Sequence, residues 1–116
     1  MAAPAHPQPP ALLALAAARA APSEPGRSSA LLLRHGSLEL RWYAPRGTDP
    51  QTPHTRDEVY VVVSGHGWFV RAGERMAFAP GDALFVGAGV EHRFVDFSDD
   101  FGVWVIFYGP EGGEAA

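Results

Sequence analysis

A histidine and a carboxylate lie four residues apart at the start of an apolar run. The run covers residues 58–63 and reads EVYVVV, and His54 precedes it. Residues separated by an even number of positions share one face of an extended strand, so His54, Glu58 and Tyr60 are expected to point the same way. An imidazole and a carboxylate inside an apolar core are costly unless a partner satisfies both. A divalent metal ion does so, which makes His54 and Glu58 candidate ligands.

A second histidine would complete the ligand set, and the chain has four besides His54. His6 lies in an Ala/Pro-rich N-terminal stretch, while His35 and His66 each adjoin a glycine in a predicted turn. Turn positions of this kind are usually exposed. His92 lies near the start of a predicted strand among apolar neighbours. The sequence therefore favours His92 as the third ligand.

The elements that must position these residues are short strands. From residue 30 onward, β-rich runs alternate with Gly, Pro, Asp and Ser, a spacing typical of sandwiches and barrels. The expected strands lie near 30–34, 37–44, 58–64, 67–71, 75–79, 83–87, 91–97 and 102–108. We therefore predict an all-β fold.

The domain organisation expected from this texture is one barrel with two tails. Residues 1–30 are predicted to form a low-complexity Ala/Pro-rich tail, disordered or partly helical, with a weak export signal as the alternative. Residues 31–110 are predicted to form the β-barrel. Residues 111–116 are expected to be a flexible C-terminal tail.

Two of the expected strands are apolar on both faces, namely residues 58–63 and residues 103–108. Strands with this pattern are buried on both sides. One side would face the barrel interior, and a chain of 116 residues is too short to cover the other side as well. We therefore predict a homodimer, in which a second copy covers the outer face.

The spacing of these residues resembles the two signature motifs of the cupin superfamily, and in particular its small single-domain, cupin 2-like members. The positions that match the motifs are His54, Glu58, Gly65, Gly81, Gly89 and His92. The resemblance covers roughly residues 37–108. It implies a double-stranded β-helix, the cupin or jelly-roll barrel, with a divalent metal held inside by His54, Glu58 and His92.

This chain departs from the family motifs at three positions. Thr52 stands where the motif has its first histidine, Gly87 replaces a proline, and Asp96 replaces an asparagine. Three outcomes remain open for the fourth ligand position: the amide oxygen of Gln51, the hydroxyl of Thr52, or water and substrate. Strict alternation points Gln51 away from the site, but Pro53 can break the register.

Two side chains near the expected site are candidates for a catalytic role. Tyr60 shares the face of Glu58, and Arg41 shares a face with Glu39 and Tyr43. If that face is interior, Arg41 is placed to clamp a substrate carboxylate. If it is outward, Arg41 and Glu39 form a surface pair, and the period of two does not decide between these faces. The aromatic residues Trp42, Phe94 and Trp104 are candidate lining residues.

The composition excludes several function classes. The net charge is −4 without any Lys/Arg cluster, so neither a nucleic acid nor an anionic membrane surface is expected as a partner. The absence of cysteine excludes disulfides and thiolate metal sites. No apolar run reaches the roughly 18 residues that a membrane span needs. We expect a cytoplasmic protein.

The resulting functional hypothesis is a small metal-binding cupin that acts on, or binds, a small molecule. Histidine and carboxylate ligands suit Fe, Mn, Ni and Zn alike, so the metal and the substrate stay open. An enzyme of this build would be a metal-dependent dioxygenase or isomerase. The alternatives are a non-catalytic ligand-binding or sensing cupin and a structural cupin with a vestigial metal site. Thr52 favours the last of these.

Overall fold

The computed structural model describes residues 8–23 and 28–115. Its elements are α1 (Leu15–Ala20), β1 (Ala30–His35), β2 (Leu38–Tyr43), β3 (Asp57–Ser64), β4 (Gly67–Arg71), β5 (Glu74–Phe78), β6 (Ala83–Val86), β7 (His92–Val95) and β8 (Gly102–Tyr108). All eight predicted strands are present, with ends that differ from the expected ones by at most two residues. The all-β prediction is confirmed.

The strands form two antiparallel sheets. One sheet has five strands in the order β1-β2-β8-β3-β6, and the other has three in the order β5-β4-β7. The chain passes between the sheets after β3, after β5, after β6 and after β7, so that the strands of both sheets wrap around a shared interior. This arrangement is the jelly-roll barrel that the motif resemblance implied.

The inner faces of both sheets meet in an aromatic core. Phe94 of β7 contacts Tyr60 of β3 with ring centroids 4.9 Å apart, and Phe101 lies 4.7 Å from Phe94. Phe69 and Phe78 extend the same cluster, and all five residues are less than 5% exposed. This packing fills one end of the barrel with rings. The polar side chains of the candidate site are left at the other end.

The outer face of the five-stranded sheet is apolar but only half-covered. Val59, Val61 and Ile106 are partly exposed, and Phe85 is 46% exposed. β3 and β8 are predicted to be buried on both faces. Within one chain, this prediction is met only for the inner face. The homodimer stays a prediction.

Two of the aromatic residues expected to line the pocket lie instead on this outer face. Trp42 and Trp104 are cross-strand partners and pack edge to face at 5.4 Å. Helix α1 covers this corner, where Ala18 is fully buried and the guanidinium of Arg19 lies 5.9 Å from the Trp42 ring. The lining prediction is wrong for both tryptophans, because alternation along β2 and β8 turns them outward.

A glycine sets the sharp connection between β3 and β4. Gly65 has a φ of +87°, and a Cβ atom there would lie 2.5 Å from the Cα atom of Phe101. The position therefore requires both the left-handed backbone and the missing side chain of glycine. Gly81 and Gly89, the other glycines that match the motifs, also have positive φ.

The two tails are described in part. Helix α1 lies in the N-terminal segment predicted to be partly helical, and His6 lies outside the described residues. At the other end, Gly112 donates a backbone hydrogen bond to Thr55, and Glu114 donates one to the Asp57 carboxylate. The flexibility expected of residues 111–116 stays a prediction. No helix among residues 8–23 and 28–115 is long and apolar enough to cross a membrane.

Candidate metal centre

Three predicted ligands converge at the open end of the barrel. One ligand atom each from His54, Glu58 and His92 lies within 4.8 Å of the other two. Oε1 of Glu58 is 2.9 Å from Nε2 of His92 and 3.8 Å from Nε2 of His54. Because Glu58 belongs to β3 and His92 to β7, the two sheets contribute to the cluster together. Such a triad of imidazole and carboxylate groups suits a divalent first-row metal.

The carboxylate of Glu58 gives the strongest indication that this cluster is suited to a cation. Its side chain is 1% exposed, and neither oxygen has a well-formed hydrogen bond from any described residue. The 2.9 Å approach of His92 has the distance of an ion pair without hydrogen-bond geometry. A buried carboxylate in this state is costly. A metal ion bound by both histidines and Glu58 would neutralise this carboxylate. The residues at the site are therefore suited to a divalent metal ion.

The tautomer of His92 is fixed by a backbone carbonyl. Nδ1 lies 2.9 Å from the carbonyl oxygen of Val90, and that oxygen only accepts, so Nδ1 carries the proton. Nε2 therefore points its lone pair into the cluster when the ring is neutral, as a metal ligand requires. Burial lowers the pKa of His92, but the adjacent carboxylate of Glu58 and the backbone carbonyl of Val90 outweigh burial and raise the pKa above its ordinary value.

Gln51 lies beside this triad, although strict alternation along a strand would point it away. Its Oε1 atom is 3.2 Å from Nε2 of His54 and 2.8 Å from the hydroxyl of Tyr60. The alternation does not apply, because β3 begins only at Asp57 and the preceding residues form an irregular segment. Thr52 is exposed and lines a cavity near His54. Gln51 therefore has a side-chain contact with one member of the triad, His54.

Tyr60 lies beneath the cluster rather than beside an open cavity. It is fully buried, and its hydroxyl lies 3.0 Å from Nε2 of His92 while it donates to Gln51. Burial and then the charge of Glu58 raise the pKa of Tyr60 well above its usual range. The phenol therefore stays neutral at physiological pH.

The sequence left open whether Arg41 faces the barrel interior or pairs with Glu39, and in the structure it does both. It is on the inner face with Tyr43 and is 1% exposed, yet it pairs with Glu39 at 2.8 Å. Arg41 also donates to the hydroxyl of Ser29 at 3.4 Å, and Glu39 accepts from Arg56 at 3.2 Å. Burial raises the pKa of Glu39, but the arginines outweigh it and hold that pKa below its ordinary value. Arg41 is thus the buried member of a partly buried ion-pair cluster.

Three cavities meet at His54, which at 27% is the most exposed of the three candidate ligands. Their volumes are about 270, 250 and 370 Å³. The ring of His54 packs edge to face on Phe107 at 5.0 Å, and Phe107 lines two of the cavities. Glu39 and Arg56 border the first cavity, and Gln51 borders the second. The cluster is therefore open to the surrounding cavities on the side of His54.

The sequence did not indicate Asp49, which contacts Gln51 from behind. Asp49 is a single carboxylate in the irregular segment between β2 and β3, and it matches no motif position. Its side chain accepts hydrogen bonds from Gln51 and from the backbone of Phe94. Only the folded chain brings these groups together. His35 and His66 are exposed, as predicted.

Comparisons with known proteins agree with this architecture. Residues 40–108 match the family model described as the cupin domain. The chain is 45% identical over 81 residues to an uncharacterized protein of Streptomyces coelicolor, a match that covers 68% of this chain and 77% of that protein.

Solved structures share the same fold. The structure of KdgF from Halomonas aligns with a TM-score of 0.63 at 22% identity and covers 78% of this chain and 84% of that one. A cupin 2 conserved barrel domain protein from Salinispora arenicola aligns with a TM-score of 0.58 at 22% identity, covering 70% and 74%. The family match extends over more than half of the chain and includes the triad. This chain belongs to the cupin family.

Proposed function

We propose that this cupin binds one divalent first-row metal ion through His54, Glu58 and His92, with the amide oxygen of Gln51 as the fourth ligand. The observation that carries the proposal is the buried Glu58 carboxylate, which has no well-formed hydrogen bond from any described residue. The carboxylate lies among nitrogen and oxygen atoms whose lone pairs could bind a metal ion. A cation at this point would neutralise the carboxylate and use those lone pairs at once.

The ligand chemistry narrows the metal to a class. Two imidazoles, a carboxylate and an amide oxygen suit Fe, Mn, Ni or Zn, whereas Cu(I) favours thiolate and thioether ligands. The hydrogen bond from Nδ1 of His92 to Val90 would orient that ring for binding through Nε2. His54 would bind from the solvent side, with its ring supported by Phe107.

A small molecule is the proposed partner of this metal, and it would enter through the cavities at His54. A bound metal supplies Lewis-acid polarisation of an oxygen-bearing ligand. The cavity walls carry both charges and hydroxyl groups, including Glu39, Arg56 and Thr52. These groups would orient a polar ligand, while Phe107 offers an apolar surface beside the metal.

A ligand-binding or sensing protein without turnover is the second candidate function. It is favoured by the position of the two candidate catalytic side chains. Tyr60 is fully buried and hydrogen-bonded to Gln51, and Arg41 is paired with Glu39. Neither side chain borders the three cavities at His54.

The metal proposal is tested by the metal content of untagged protein. We expect about one equivalent of metal in the parent protein after reconstitution, and none in the His54→Ala and His92→Ala variants. His35→Ala and His66→Ala are matched controls, because both histidines are exposed and lie outside the cluster. Metal that persists in His92→Ala, or a parent protein that takes up none, would contradict the proposal.

An assay for substrate turnover distinguishes an enzyme from a ligand-binding protein. The metal-loaded protein would be incubated with panels of small phenols, thiols and keto acids, while oxygen consumption and product formation are followed. Consumption of oxygen indicates a dioxygenase, and conversion of a substrate without oxygen uptake indicates an isomerase. Ligand-induced stabilisation with unchanged ligand supports the binding protein.

A homodimer is proposed to cover the outer face of the five-stranded sheet. The supporting observation is the half-exposed surface formed by Val59, Val61, Phe85 and Ile106. Light scattering at micromolar concentration should give twice the mass of one chain, and Val61→Glu should give a folded monomer. A monomeric parent protein would overturn this part of the proposal.

A further inference from the structure

Asp49 lies directly behind the amide group of Gln51. Its Oδ2 atom accepts a hydrogen bond from Nε2 of Gln51 at 2.8 Å, and its Oδ1 atom accepts one from the backbone nitrogen of the same residue at 3.2 Å. Oε1 of Gln51 faces the opposite way, toward His54 and Tyr60. The amide therefore has its nitrogen end on Asp49 and its oxygen end in the cluster.

This orientation follows from what a carboxylate can do. An ionised carboxylate only accepts hydrogen bonds, so the end of the amide that faces Asp49 must be the NH2 group. An amide turned by 180° would place two oxygen acceptors against each other. It would also present an NH2 group to the cluster, and this group offers a metal no useful lone pair.

Asp49 is itself held by both sheets. The hydroxyl of Tyr43, at the end of β2, donates to Oδ1, and the backbone nitrogen of Phe94, in β7, donates to Oδ2 at 2.7 Å. Tyr43 is 2% exposed and Phe94 is 1% exposed, so both donors belong to the packed core. The irregular segment that contains Gln51 is thus anchored through one carboxylate.

We propose that Asp49 is a positioning residue that selects the oxygen end of the Gln51 amide as a metal ligand. This inference rests on the proposed metal-binding function. It explains how a residue outside any strand is held in one orientation beside the triad. It also assigns a role to a carboxylate that matches no family motif position and lines none of the three cavities at His54.

The test is a double-mutant cycle on metal affinity. The dissociation constant for Zn²⁺ would be measured by competition with a chromophoric chelator in the parent, Asp49→Asn, Gln51→Ala and the double variant. Asp49→Asn should weaken binding about 10- to 100-fold, a typical loss for groups that orient metal ligands. The asparagine NH2 group can donate to Oε1 of Gln51 and so permits the turned amide.

The double-mutant cycle distinguishes a loss of Gln51 orientation from a general effect of losing the charge or packing of Asp49. In the Gln51→Ala background no amide remains to be oriented, so Asp49→Asn should cost at least tenfold less there than in the parent. Equal losses in both backgrounds, or no loss in the parent background, would overturn the inference and leave the metal site intact. A parent protein without Zn²⁺ binding would overturn the proposed function and the inference together.

A measurement on the unaltered protein covers the case in which Asp49→Asn does not fold. In the ¹⁵N spectrum, the NH2 group of Gln51 should exchange slowly with solvent, both without metal and with Zn²⁺ bound, because Asp49 holds it. Slow exchange in both states supports the inference. Rapid exchange of that group in either state contradicts it.

Discussion

Oε1 of Glu58 lies 2.9 Å from Nε2 of His92, although the two residues belong to different sheets of the barrel. The side chains of both are nearly inaccessible to solvent. The ring of His92 also packs against Tyr60, which belongs to the ring cluster around Phe94. The barrel thus holds a carboxyl group and an imidazole in contact, and the third candidate ligand, His54, approaches them from the open side.

Metal binding should stabilise the fold, and the effect should depend on Glu58. At about 100 times the dissociation constant, a metal that binds only the folded state adds about 2.7 kcal/mol. We expect this increase in thermal or urea unfolding of the parent protein, and its loss in Glu58→Gln. Glu111→Gln is the matched control, because Glu111 borders a cavity but is exposed and outside the triad. An equal metal-induced gain in Glu58→Gln would contradict the ligand assignment.

The ion-pair cluster around Glu39 predicts a pH-dependent contribution to stability. Glu39 pairs with Arg41 at 2.8 Å and Arg56 at 3.2 Å, and its pKa is held below the ordinary value. A depressed pKa stabilises the fold above the unfolded value of about 4.3, and this contribution is lost as the pH falls through the folded pKa. Glu39→Gln should cost about 2–3 kcal/mol at pH 7.

The measurement for Glu39 is urea unfolding of the parent and Glu39→Gln from pH 7 down to pH 3. The difference between the two proteins should be constant near neutrality and shrink in the acidic range. A difference that grows on acidification, or that is the same at all pH values, would show that the Glu39 charge is not what stabilises the cluster.

Two glycines with the same backbone conformation should respond differently to alanine. Gly65 and Gly81 have φ values of +87° and +91°, so alanine at either position carries the cost of the left-handed region, about 1–2 kcal/mol. At Gly65 the new Cβ would also clash with the backbone of Phe101, whereas at Gly81 it would meet no described atom within 4 Å. Gly65→Ala should therefore lose clearly more stability than Gly81→Ala. Equal losses would contradict the close approach at Phe101.

Much of this fold was predictable because its signals are local. The eight strands follow from short apolar runs separated by turn residues, and Gly65, Gly81 and Gly89 were identified by the motif resemblance. The inward direction of Arg41 was not predictable, since a period of two defines two faces without saying which one is covered. The packing of β2 against β8 decides it, and the same packing turns Trp42 outward.

The sequence predicted the three candidate ligands, but it did not predict the residues that hold the site in place. Spacing and the motif resemblance identified His54, Glu58 and His92, although the alternation argument for His54 was incomplete because β3 begins only at Asp57. The orientation of Gln51 depends on Asp49, which is fixed by hydrogen bonds from residues distant in sequence. A contact of that kind leaves no trace in local spacing.

The central claim is that one metal ion binds between the two sheets at this triad. The most direct measurement is anomalous diffraction from crystals of the Zn²⁺-loaded protein, recorded above and below the zinc absorption edge. We predict one anomalous peak per chain, about 2.0–2.2 Å from Nε2 of His54, Nε2 of His92 and a carboxylate oxygen of Glu58. An absence of signal at this position, or a peak only at other histidines, would contradict the claim.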